Sequence, residues 1–170
     1  MPFPNTVSYA PAPAVEGDFC DANPRSTVNA GPGGLIVGPL GAVIGRFCWA
    51  TAPNDADGAP ATITNSGTGA PTGFLHREQQ GLITNFLGES GMRMLPGMPA
   101  TLFKTGGFWA RNAGSTASAY LNKVFVNNAD GSVAFAAAGT TLAGYTETKW
   151  FAMSVGAPGE LVKISATPNG

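Results

Sequence analysis

Any acid–base chemistry in this 170-residue chain must be built around its single histidine, His76. It stands in the run Phe74-Leu75-His76-Arg77-Glu78. In an extended strand His76 and Glu78 share a face, because side chains alternate with a period of two. Such a His–carboxylate pair can orient an imidazole as a general base. A hydrolase would also need a nucleophile, and no Gly-x-Ser-x-Gly elbow presents a serine. The two cysteines, Cys20 and Cys48, lie far apart, and neither belongs to a Cys-x-x-Cys pair. Cys48, between Phe47 and Trp49, reads as a buried free thiol. Zinc would need two strong ligands beyond His76 and Glu78, and spacing marks none. Asn54, Asp55, Asp57 and Gly58 evoke a calcium loop, but its twelfth position, which requires Glu, holds Asn65. The glycine-rich GPGG (31–34) and GPLG (38–41) lack the Lys-Ser/Thr tail of a phosphate cradle and lead into a strand. The expectation is a protein that is not an enzyme, with no catalytic residues, no cofactor and no metal. His76, Arg77 and Glu78 then read as a salt-bridged patch on a sheet, at a contact surface.

Composition narrows the remaining classes. Charged residues are 11% of the chain, against roughly 25% in an ordinary soluble domain. Glu, Lys and Arg are too scarce for a coiled coil. Nine scattered basic residues and a net charge of −1 exclude a basic nucleic-acid binder. Ten Phe, three Trp and three Tyr argue against charge-rich disorder. No stretch approaches the ~18 apolar residues of a membrane span. The opening MPFPNTVSYAPAPAVEG has neither a basic region nor an apolar core, so a secretory leader is not expected. A free monomer usually stays soluble through abundant mixed charge. A surface this poor in charge is expected to lie against copies of itself or a partner.

The elements that would position these residues are short strands. Residues 1–24 carry five prolines, which block helix, and read as an extended arm with Phe3, Val7 and Tyr9 as apolar anchors. Residues 25–170 read as a single β domain. Val43, Gly45, Phe47 and Trp49 alternate with Ala42, Ile44, Arg46 and Cys48, which predicts one strand. Further strands are expected at 61–65, from Gly73, at 95–104, 107–111, 119–127 and 132–137, and in the last hairpin around GAPG (156–159). Asp130-Gly131 is hairpin chemistry. Residues 82–90 suit a strand or a short helix. Seven to nine strands between turn signals predict an all-β, jelly-roll-like sandwich or barrel.

Several segments then carry a resemblance. GDFCDANPRSTVNAGPGGLIVG (17–38), VIGRFCWA (43–50) and GAPTGFLHREQQGLITNFL (69–87) resemble the structural cement, or head decoration, proteins of tailed bacteriophages. GFWARNAG (107–114), NNADGSVAFAAAG (127–139) and GELVKIS (159–165) do so too. The resemblance implies a jelly-roll-like virion protein, assembled in the host bacterial cytoplasm, on the outside of an icosahedral capsid. It would bridge neighbouring copies of the major capsid protein, as a dimer or trimer, with no nucleic acid or membrane partner. Phe3, Val7, Tyr9, His76, Arg77 and Glu78 are its candidate contact residues. The alternative from another class is a small virion β-sandwich that binds carbohydrate or a host receptor, with Trp49, Trp109 and Trp150 as platforms.

Overall fold

Runs of two to eight residues, punctuated by Gly and Pro, form strands because each is too short for a stable helix. The computed structural model describes residues 14–52, 58–78 and 91–168. Every regular element among them is a strand: β1 (Ser26–Thr27), β2 (Leu35–Val37), β3 (Ala42–Val43), β4 (Phe47–Ala50), β5 (Ala61–Thr64), β6 (Gly73–Leu75), β7 (Arg93–Met94), β8 (Leu102–Thr105), β9 (Gly107–Arg111), β10 (Lys123–Asn127), β11 (Val133–Ala136), β12 (Tyr145–Ala152) and β13 (Leu161–Ser165). One sheet has six strands in the order β1-β8-β6-β4-β5-β2, a second has five in the order β11-β10-β12-β13-β9, and β3 pairs with β7. Pairing is antiparallel except between β2 and β5.

The six-stranded sheet curls back on itself. Val37 N–H donates to Met98 O (2.9 Å), Gly97 N–H to Val37 O (2.8 Å) and Ala100 N–H to Leu35 O (3.0 Å). The outer edge of β2 is thus paired with the chain that runs directly into β8, two strands past the opposite flank of β4. Closure of this kind protects a sheet edge that would otherwise invite another chain.

Period-two alternation sends neighbouring residues into two different cores. Phe47 on β4 and Phe74 on β6 join Phe108, Phe135, Trp150, Val124, Val126, Val162 and Ile164 between the two large sheets. Cys48 and Leu75, one position later, face the other way, into a cluster with Leu35, Val37, Ile44, Ile63, Met94 and Leu102. The curled sheet is the shared wall, and β6 is buried along its whole length.

The architecture is the all-β layered one expected, with more and shorter strands. The strand predicted through 43–49 is two. A turn at Ile44–Gly45, with Gly45 at φ 77°, separates β3 from β4. Glycine is required there, since the Glu16 side chain occupies the space of a Cβ. Val43 therefore pairs with Arg93 instead of sharing a face with Phe47. The strand from Gly73 ends at Leu75, and the strand predicted from 119 starts at Lys123, after a turn. The hairpin at Asp130-Gly131 forms as expected, with Gly131 at φ 70° and its N–H on Asn127 O (2.9 Å). The expectation for 82–90 lies outside the described residues.

Candidate contact surface

Gly17–Cys20, in the predicted arm, dock on the chain's own sheet. Gly17 N–H donates to Trp109 O (2.7 Å), Trp109 N–H to Asp18 O (2.9 Å) and Cys20 N–H to Gly107 O (3.1 Å), so this segment adds a ribbon to the edge of β9. On its other side stand His76 and Arg77. His76 Nδ1 lies 2.8 Å from Gly17 O. A carbonyl can only accept, so Nδ1 carries the proton. The imidazole stacks on the Phe19 ring at 3.8 Å, and the Arg25 guanidinium covers Phe19's ring at 3.7 Å. Arg77 N–H also donates to Gly17 O (3.1 Å), and its guanidinium pairs with Asp18 at 3.6 Å. Glu78 follows them, half-buried, beyond the end of β6. Phe3, Val7 and Tyr9 lie outside the described residues. The structure thus brings His76 and Arg77 together as a clamp on Gly17–Phe19, and among the described residues the histidine's polar partner is a backbone carbonyl rather than a carboxylate.

Two more charged links tie the segment and the layers. Arg111 donates to Glu16 (3.0 Å) and to Gly159 O (2.6 Å). Arg46 pairs with Asp130 at 2.7 Å. Partial burial opposes the Asp130 carboxylate, but hydrogen bonds from Ser132 and the Arg46 guanidinium outweigh it and hold its pKa below the ordinary value.

Neither thiol is poised to attack. Burial, reinforced by the neighbouring Asp21 charge, pushes Cys20 up to about 12. Burial raises Cys48 as well. Both are free cysteines. Among the described residues no three of His, Cys, Asp or Glu converge as a metal site would. The three tryptophans differ sharply. Trp150 is buried at 3% exposure, inside the aromatic core. Gly67 packs against the Trp49 ring, whose Nε1 donates to Gly69 O (3.1 Å). Trp109 is half-buried with the Lys163 ammonium 5.2 Å over its ring.

Other candidate contacts were not legible in the sequence. Leu40 (72% exposed) and Tyr120 (57%) project from turns, and Val155 (71%) from the irregular stretch after β12. Turn residues follow no strand or helix period, so patterning gives no signal for them. Leu121, beside Tyr120, is exposed and holds φ 65°, which leucine rarely adopts.

These side chains fasten the chain to itself and present apolar tips outward from an all-β layered fold. No curated protein matches the chain. A solved chain from "The capsid of Myoviridae Phage XM1" shares the fold with a TM-score of 0.64, at 18% identity over 98% of each chain. The family model of the XM1 gp53 minor capsid protein matches residues 3–166, and the chain belongs to that family. Its role is structural, in the capsid of a phage virion.

Proposed function

We propose that the protein is a cement protein without enzymatic activity, attached to the outside of the shell after assembly in the host cytoplasm. It bridges neighbouring major capsid subunits as a dimer or trimer. The observation that carries this reading is the family match, which begins at residue 3 and so includes the proline-rich arm with the β domain. The arm ahead of Glu16, which itself pairs with Arg111 of the same chain, extends across a neighbour, with Phe3, Val7 and Tyr9 as anchors. Ordering an arm costs about 1–2 kcal/mol per residue, so it must gain contacts to stay fixed. With 11% charged residues, attachment rests on apolar burial, about 25 cal/mol per Å². A ligand that binds only the mature shell stabilises that state by linkage, and the gain repeats at every copy. Glu78, with the His76 and Arg77 clamp, lies at the rim of that contact and sets its register.

Cryo-microscopy of the particle tests the reading. Density for this fold at hundreds of outward-facing positions, in mutual contact about symmetry axes, is expected. A few copies at the tail or a vertex would instead indicate a receptor- or carbohydrate-binding appendage.

A further inference from the structure

Among the described residues, part of the edge of β12 is open. Asn128 N–H donates to Gly144 O (2.9 Å), and antiparallel strands turn successive backbone groups to alternate sides. Glu147 therefore presents its N–H and C=O away from β10. On that side β13 pairs only with Phe151 and Ala152. Among the described residues, no backbone hydrogen bond covers the outer edge of β12 from Thr146 to Lys149.

A bulge shapes this edge. Lys123 pairs with Phe151 and Phe125 with Glu147, so two steps on β10 span four on β12. Thr148 turns into the sheet to fill the gap: its Oγ1 donates to Val124 O (2.8 Å) and accepts from Trp150 N–H (3.1 Å). Lys149 is left outside. A groove of about 180 Å³ runs along the edge, walled by Pro71 and Thr72 opposite Trp150, with Lys104 and Lys149 at its rim. Neither lysine has a carboxylate within ion-pair distance among the described residues. The Glu147 carboxylate, the only acid there, accepts from Gly139 N–H (2.9 Å).

Edge lysines commonly prevent a strand from pairing with its own copy, because like charges then face each other. The same lysines admit a strand that brings carboxylates. We propose that the Thr146–Lys149 edge accepts, as an added strand, an extended acidic segment of a shell subunit. This rests on the shell-attachment reading. Backbone hydrogen bonds would supply the contact, and the alternate side chains facing Lys104 and Lys149 would supply its selectivity.

The test uses the isotope-labelled full chain and a synthetic peptide, acetyl-Glu-Val-Glu-Thr-Glu-Val-amide, followed by amide shifts in NMR. Shifts confined to Tyr145–Trp150 and Thr72–Gly73 are expected. A peptide N-methylated at alternate residues, which cannot donate to the edge, should lose them. Lys104→Glu with Lys149→Glu should weaken binding by about tenfold, within the range that two exposed charge pairs contribute. A basic peptide with Lys in place of Glu should bind more weakly than the acidic one. No shifts at millimolar peptide, shifts elsewhere, or equal binding of acidic and basic peptides would overturn the proposal and leave the lysines as mere guards of the edge. The assay needs no particle, so its failure is distinct from a failure of shell attachment.

Discussion

The two cores share a wall and are built from different materials. Between the large sheets the filling is aromatic: Phe47, Phe74, Phe108 and Trp150 meet at ring-centroid distances of 4.9 to 6.2 Å, mostly tilted or edge-on. Inside the curled sheet the filling is aliphatic and sulfur-bearing, with Cys48, Met94, Leu, Ile and Val. Facing sheets stand about 10 Å apart, a gap that large rings bridge efficiently. A tightly curled sheet leaves less room, and smaller branched side chains fill it. Difference in sheet geometry thus explains the difference in residue type, although both cores are buried.

Adjacent residues give the sharpest way to break this comparison. Phe74→Ala should destabilise the protein by about 4 kcal/mol, since it leaves a ring-sized cavity and removes three aromatic contacts. Leu75→Ala, one position later and facing the aliphatic core, should cost about 3 kcal/mol. Denaturant midpoints at unchanged slope measure both. The reverse order would place the stability in the curled sheet.

A smaller effect sharpens where the aromatic core ends. Phe19 lies 5.6 Å from Phe103 and 5.3 Å from Phe108, at the rim. Phe19→Ala should cost about 1–2 kcal/mol, less than a buried Phe because the ring is part-exposed. Hydrogen exchange at the Gly17 and Cys20 amides should accelerate, while amides of β2 and β5 stay protected.

Arg46 and Asp130 join the wall to the hairpin of the second sheet. Because the folded carboxyl pKa is lowered, its stabilisation is present above the unfolded value, about 3.9, and disappears as pH falls through the folded value. Asp130→Asn should therefore lower stability at pH 7 by less than about 1 kcal/mol, given the pair's exposure. Denaturation curves of the two proteins should converge as the pH falls through the folded value.

The smallest effect lies outside both cores. Leu121→Gly should raise stability by about 0.5 kcal/mol, as relief of the positive φ slightly exceeds the added freedom of the unfolded chain. A thermal melt that falls instead would mean that the exposed leucine packs usefully within the monomer.

Much of the aromatic core was legible from alternation in Phe47-Cys48-Trp49 and from the run Gly107–Arg111, because a strand's two faces are written in its residue order. The Asp130-Gly131 reversal was legible from turn chemistry. The break at Ile44–Gly45 was only half legible: a glycine inside an alternating run permits a bulge or a close approach, but nothing along the chain names Glu16, distant in sequence, as what fills the missing side chain. Nor does order along the chain announce that β2 pairs parallel with β5. His76 stood out as the single histidine, but its partner is the backbone of Gly17, and a backbone carbonyl leaves no mark in a sequence.

The segment that closes the curled sheet also sets a clock. Residues 97–105 hold β2 by one end and both β1 and β6 by the other, so none of these pairings is local. Loop entropy must be spent before such contacts reward it, which puts topologies of this kind in the millisecond-to-second range of folding. The reverse path carries the same constraint: the segment must let go on both flanks before the curled sheet can open. Persistence of the folded chain then depends on the height of an unfolding barrier more than on the depth of an equilibrium, and a capsid component is used for as long as its particle lasts.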